Sequence, residues 1–148
     1  MNRMVLGAVA ACSFVLGAAV SAQVVERVWD DGSVWVISKV DVKPGQYNAY
    51  IKYLRDVGLP RIDYGRKTGD ILSYRVLSVQ NSREGEPDVL VLTEYKNMAV
   101  FDRGPQFSDD MNRKLAGSLE NRQAQMAQAR GLSDPMGSMM AREVRLRR

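Results

Sequence analysis

The 148-residue sequence contains no histidine, and its single cysteine, Cys12, stands near the N-terminus. Those two shortages exclude more chemistry than any motif present supplies. Without imidazole there is no Ser-His-Asp or Cys-His arrangement, because the general base of such sets is usually histidine. With no imidazole and one thiol, zinc and copper sites of ordinary ligand type are excluded, as is histidine-ligated haem. No calcium-loop spacing occurs, and no G-x-S-x-G, P-loop or G-x-G-x-x-G pattern. Gly65-Arg66-Lys67-Thr68 lacks the spacing and the preceding strand of a phosphate loop and reads as the polar end of a helix. Internal repeats and low-complexity tracts are also absent. On these grounds no metal and no cofactor is expected.

Charge is missing from the beginning of the chain. Arg3 is followed by an uncharged stretch, Met4 to Ala22, that is rich in Ala, Val, Leu and Gly and ends in Val20-Ser21-Ala22 before Gln23. A basic n-region, an apolar h-region and a small-residue exit are the pattern of a secretory signal, so residues 1–22 are expected to be a cleaved signal peptide. The run borders on the roughly 20 apolar residues that span a bilayer, but its Ala and Gly content and its Val-Ser-Ala exit favour cleavage. The alternative is a lipoprotein anchored at Cys12. It requires an h-region of only Met4 to Ala8, short of the usual ~7–15 residues. Taking 22 residues from 148 leaves 126, enough for one domain with a real core. The same cleavage removes the cysteine and takes the formal charge from +4 to +3. The expected location is periplasmic or secreted, with no membrane span after signal removal. The remaining charges are interspersed. The densest basic group, Arg142, Arg145, Arg147 and Arg148, has Glu143 within it and no interleaved aromatics, so no nucleic-acid partner is expected. It reads as a charged strand end that discourages edge-to-edge pairing.

The expected chain organisation is a signal at 1–22, an arm or short strand at 23–33 and one domain at 34–148. Asp30-Asp31-Gly32-Ser33 reads as a turn rather than an all-oxygen metal site. Val34 to Val42 is rich in β-branched and aromatic residues, as a strand requires. Pro44 suits a first helical turn, and Tyr47, Tyr50, Ile51, Leu54 and Val57 recur at helical spacing. Gly58-Leu59-Pro60 breaks that helix, and a second helical stretch follows to about Lys67. Leu72 to Val79 and Val89 to Tyr95 read as strands of a hairpin with a polar tip. A long helix is expected from an N-cap at Ser108 to a stop at Gly131. Ser133 to Ser138 then reads as a linker, and Met139 to Arg147 as a last strand.

Setting the arm aside, the order is βαββαβ, the ferredoxin-like α+β arrangement: one antiparallel sheet with two main helices on one face. A bare sheet face alternates apolar with polar residues. Val34 to Ile37 and Val89 to Leu92 do not alternate, so something must cover the second face, and the simplest cover is another copy in a two-fold homodimer. The segment from Val40 through Lys43-Pro44-Gly45 to Ile51 resembles the first strand-to-helix junction of the dimeric α+β barrel superfamily, and Leu92 to Phe101 resembles its third strand and the short element after it. That resemblance implies that two sheets close into a barrel across the dimer. It also implies a set of activities: cofactor-free monooxygenases, haem-degrading enzymes and lactone isomerases, beside small secreted proteins without known activity.

Polar residues inside strands are the candidates for a site, because in a sheet covered on both faces such groups are paired or line a cavity. They are Lys39, Tyr74, Arg75, Glu94 and Tyr95. Glu94 and Arg75 are expected on hairpin partners, where they can form an ion pair. Alternatively Tyr74, Arg75 and Glu94 edge a small-molecule pocket between sheet and helices, with Glu94 as a general base. Tyr47, Tyr50 and Tyr53 read as core and rim aromatics of a helix rather than haem ligands. Three functions remain open: an exported accessory or small-molecule-binding protein with no catalytic set; a cofactor-independent monooxygenase or isomerase for a small hydrophobic, quinol-like substrate; and a structural periplasmic interaction protein.

Overall fold

β-branched residues carry the long strand β1 (Trp29–Val42) through the interior of a four-stranded antiparallel sheet of order β2-β3-β1-β4. The computed structural model describes residues 26–148, so the expected signal segment lies outside the described residues. The other strands are β2 (Ile71–Ser78), β3 (Val89–Tyr95) and β4 (Ser133–Leu146). The first crossover is α1 (Tyr47–Tyr53), a π-helical turn (Leu54–Gly58) and α2 (Leu59–Lys67). The second is a 3-10 turn (Met98–Asp102), α3 (Pro105–Ala116) and α4 (Leu119–Leu132). This is the ferredoxin-like α+β fold. No helix among the described residues is long and apolar enough to cross a membrane.

The alternation of side chains along β1 decides which residues meet the helices. Val40 and Val42, with Val89 of β3, pack against Tyr50 of α1, and Ile51, Leu54, Val91 and Leu132 close the cluster. Tyr50 is 4% exposed while Tyr47 is 41% exposed, so these tyrosines are the core and rim pair that the helical spacing predicts. The opposite face carries Trp35, Ile37, Leu90 and Leu92, placed side by side by the register Trp35↔Glu94, Ile37↔Leu92 and Lys39↔Leu90. No element of the described residues covers that face.

Five local expectations are corrected. Asp30 to Ser33 does not turn the chain. It stays in β1, because β4 offers partners along the whole length, and Gly32 and Ser33 together oppose Glu143 in a bulge. Pro44 lies in a turn before α1, closed by the Gln46 N–H donating to the Lys43 carbonyl at 2.9 Å. The expected break at Gly58–Pro60 is absorbed by the π-helical turn, since Pro60 has no N–H to return to the preceding turn.

The second crossover starts earlier and is divided. Gly104 and Pro105 begin α3, ahead of Ser108. Gly117 has φ of +79°, a conformation that side-chain-bearing residues rarely adopt, and it ends α3. Ser118 caps α4, its hydroxyl accepting from the Asn121 N–H at 3.1 Å. The expected linker at Ser133–Ser138 is strand: β4 is an edge strand, where Pro135 omits no ladder bond the sheet needs, and Met136 and Gly137 bulge opposite Lys39. The basic C-terminal end lies on this edge, with Arg142 3.1 Å from Asp31 and Arg147 Nε 3.1 Å from Asp30.

Candidate functional site

The five strand residues singled out by sequence do not converge. Glu94, Arg75 and Lys39 share the open face, while Tyr74 and Tyr95 share the helix face, as the cross-strand register requires. The expected Glu94–Arg75 ion pair is not formed. The unbroken register that runs from the hairpin sets Ser73, not Arg75, opposite Glu94, and Arg75 opposite Leu92. Glu94 instead accepts hydrogen bonds from Ser33 Oγ (2.7 Å) and Ser73 Oγ (2.6 Å). Lys39 stands four residues along β1 from the Glu94 partner Trp35, about 13 Å at the usual strand rise. These three therefore form no single site.

Tyr95 does reach a cavity. Between α2, α3 and the end of the sheet lies a space of about 200 Å³, lined by apolar groups such as Ile62, Ile71, Phe107 and Met111, with Tyr95 and Arg61 among its walls. Tyr95 stacks at a tilt on Phe101, ring centroids 4.8 Å apart, and burial pushes its phenol above the ordinary range, so it is neutral at physiological pH. A broader cleft of about 620 Å³ lies outside α2, but Asp63, Lys67 and Lys114 reach it from the exposed helix surface. The smaller cavity has the apolar lining and sparse polar groups of a ligand site.

One rim of the cavity is rigid. Asp70, 3% exposed, accepts both arms of the Arg103 guanidinium (2.7 and 2.6 Å) and the Thr68 hydroxyl (2.7 Å), with Lys96 Nζ at 3.2 Å. The Lys96 N–H also donates to the Asp70 carbonyl at 3.0 Å. Burial raises the Asp70 carboxyl, but the hydrogen bonds from Thr68, Arg103 and Lys96 outweigh it, and the net displacement is downward. Arg103 in turn lies over the Phe107 ring, 4.3 Å from its centroid, so the network holds one wall in place.

The opposite side holds a group that sequence reasoning missed. Arg61 of α2 donates from Nη2 to Asn112 Oδ1 of α3 at 2.7 Å, while its Nη1 is buried with no acceptor. Arg61 reads as an ordinary polar helix residue until α3 docks on it, and no local signal marks it.

Gly65 shows how close the cavity wall is packed. A Cβ there would stand 2.5 Å from Cδ1 of Ile71. Glycine to alanine in an exposed helix gains about 1 kcal/mol, but Gly65→Ala is expected to lose about 1–3 kcal/mol by overpacking. Urea unfolding of the pair measures the sign, and a gain would show that Ile71 yields freely.

No protein-family model matches the chain, and no curated protein matches it in sequence. Among solved structures, it is similar to a NIPSNAP family protein of unknown function from Agrobacterium tumefaciens, at 14% identity over 78% of this chain and 90% of that one, with a TM-score of 0.45. It is likewise similar to a conserved protein from Methanosarcina mazei Go1, at 14% identity over 79% of this chain and 94% of that one, again with a TM-score of 0.45.

Proposed function

We propose that this protein is an exported accessory protein that binds a small hydrophobic ligand and works as a homodimer. The observation that carries the reading is the apolar cavity between α2, α3 and the sheet. Its volume of about 200 Å³ exceeds the ~150 Å³ in which an apolar protein cavity takes up benzene, so one small ring or a short aliphatic body fits it. Binding rather than catalysis is supported by the placement of Glu94. The carboxylate considered as a base sits on the open face of the sheet, engaged by two serine hydroxyls, away from the cavity.

The dimer is supported by the open face. Trp35, Ile37, Leu90 and Leu92 lie adjacent there, with Leu77 and Met139 beside them at 43% and 51% exposure. A contiguous apolar surface on a sheet with helices on its other face is the kind that a second copy covers. Export is supported by the signal pattern in residues 1–22. Native mass spectrometry of the protein recovered from cells tests the whole reading. The expected spectrum shows a dimer that sheds a small apolar compound on activation. A bare monomer that no hydrophobic compound stabilises in a thermal-shift panel would overturn it.

A further inference from the structure

Three charged side chains stand on the open face of the sheet without an opposite charge. Register places Lys39, Arg75 and Glu94 there, and none of them enters an ion pair among the described residues. Lys39 and Glu94 are already half-buried, and Glu94 is held by two neutral hydroxyls, those of Ser33 and Ser73. Covering the face strips more water from these groups, and a desolvated charge left unpaired costs free energy. Whatever covers the face must therefore bring charges placed to match.

A second copy does so in one orientation. Across β3 and β1 the face is built in rows: Glu94 beside Trp35, then Leu92 beside Ile37, then Leu90 beside Lys39. The anion stands in the first row and the cation in the last, on adjacent strands, with an apolar row between them. A two-fold axis running along the strands, between β3 and β1, sets Glu94 against the partner's Trp35 and Lys39 against the partner's Leu90. Both charges are then buried and unpaired. A two-fold axis running across the strands, at the row of Leu92 and Ile37, reverses the order of the rows. Lys39 then lies over the partner's Trp35, one strand spacing of about 4.8 Å from the partner's Glu94. Packed sheets stand about 10 Å apart, a gap that the flexible lysine stem and the glutamate bridge together.

We infer that two copies meet face to face across this second axis, so that Lys39 of each subunit binds Glu94 of the other and lies over its Trp35. This rests on the homodimer proposed above and fixes how the two copies are oriented. The indole face adds a cation–π contact to the ion pair. The two serine hydroxyls hold the carboxylate in position before the partner arrives. Leu92 and Ile37 meet their own copies at the axis and form the dry centre of the interface. Arg75, exposed on the edge strand β2, stays at the margin, where its head reaches water.

Charge reversal tests the pairing, read as the dimer dissociation constant by analytical ultracentrifugation, with circular dichroism to confirm each fold. Lys39→Glu and Glu94→Lys each place like charges together twice in the interface, and each is expected to weaken the dimer about 100-fold or more. Mixed in equal amounts, the two variants are expected to form a heterodimer within about tenfold of the unaltered affinity, because both contacts then join opposite charges. If Glu94→Lys does not fold, Lys39→Met and Glu94→Gln replace the reversals. The loss in the double variant is then expected to be smaller than the sum of the single losses. An unaltered dimer that tolerates both reversals, a mixture that stays monomeric, or additive losses in the neutral set would overturn the pairing and leave the homodimer standing. An unaltered protein that is monomeric would overturn the homodimer and the pairing with it.

Discussion

Asp70→Ala is expected to lower the free energy of unfolding by about 3 kcal/mol, the lower end of what breaking a buried ion pair costs. The lower end applies because its cationic partners reach solvent: the Arg103 and Lys96 side chains are 32% and 42% exposed, which screens part of the loss. What remains is large because the carboxylate joins three segments. Asp70 follows α2, Lys96 follows β3 and Arg103 precedes α3, so one side chain ties the turn between helix and strand to the entry of the second crossover.

The same residue makes a pH prediction. Its carboxyl titrates below the ordinary aspartate range in the folded protein, so folding favours the ionised form. A depressed folded value contributes stability that is fully present above the unfolded value, near ~3.9, and is lost as pH falls through the folded value. Urea unfolding at pH 7 and again below pH 3 should show the gap between the unaltered protein and Asp70→Ala narrowing at the acid end. A gap that stays constant would mean that the carboxylate's charge is not what stabilises this corner.

Leu92→Arg is expected to convert the proposed dimer to a monomer without unfolding it. Leu92 lies in the middle of the open face, between Ile37 on β1 and Arg75 on β2. A guanidinium there meets a second cation at once. Burying it against a partner adds the cost of a desolvated, unpaired charge. Two-fold symmetry applies the substitution twice in each interface, so the dissociation constant should rise by about 100-fold or more, equivalent to roughly 3 kcal/mol. In the isolated subunit the arginine head reaches water along its flexible stem, and the fold survives. Light scattering across a dilution series reads the mass, and far-ultraviolet circular dichroism checks the fold. A Leu92→Arg protein that remained dimeric would place the interface elsewhere.

Strand β3 and the two crossovers were legible because their signals are local. Val89 to Leu92 is apolar on both faces, and the helical spacing of Tyr47, Tyr50, Ile51 and Leu54 repeats within two turns. The failures have a common cause. Asp30–Ser33, Gly58–Pro60 and Ser133–Ser138 all contain turn residues, and each is carried through as strand or helix because a neighbour supplies hydrogen bonds along its length or the backbone widens to admit it. Gly117 was passed over because its positive φ leaves no mark in the residues around it. The partner of Glu94 was not legible because the hairpin register sets Ser73 opposite it and leaves Arg75 two positions along on the same face; register depends on how two strands align and not on either strand alone.

The sequence by itself determined the βαββαβ order and the absence of histidine, and so confined any chemistry of this domain to carboxylates, tyrosines, arginines and lysines. Those are properties of composition and short-range pattern, and they hold in any packing. Only the tertiary structure decided which of those groups meet. Strand register set Ser73 rather than Arg75 opposite Glu94, and the docking of α3 on α2 brought Asn112 to Arg61 and left one guanidinium nitrogen without an acceptor. Contacts between residues some fifty positions apart depend on how whole elements pack, and no stretch of the chain encodes them locally.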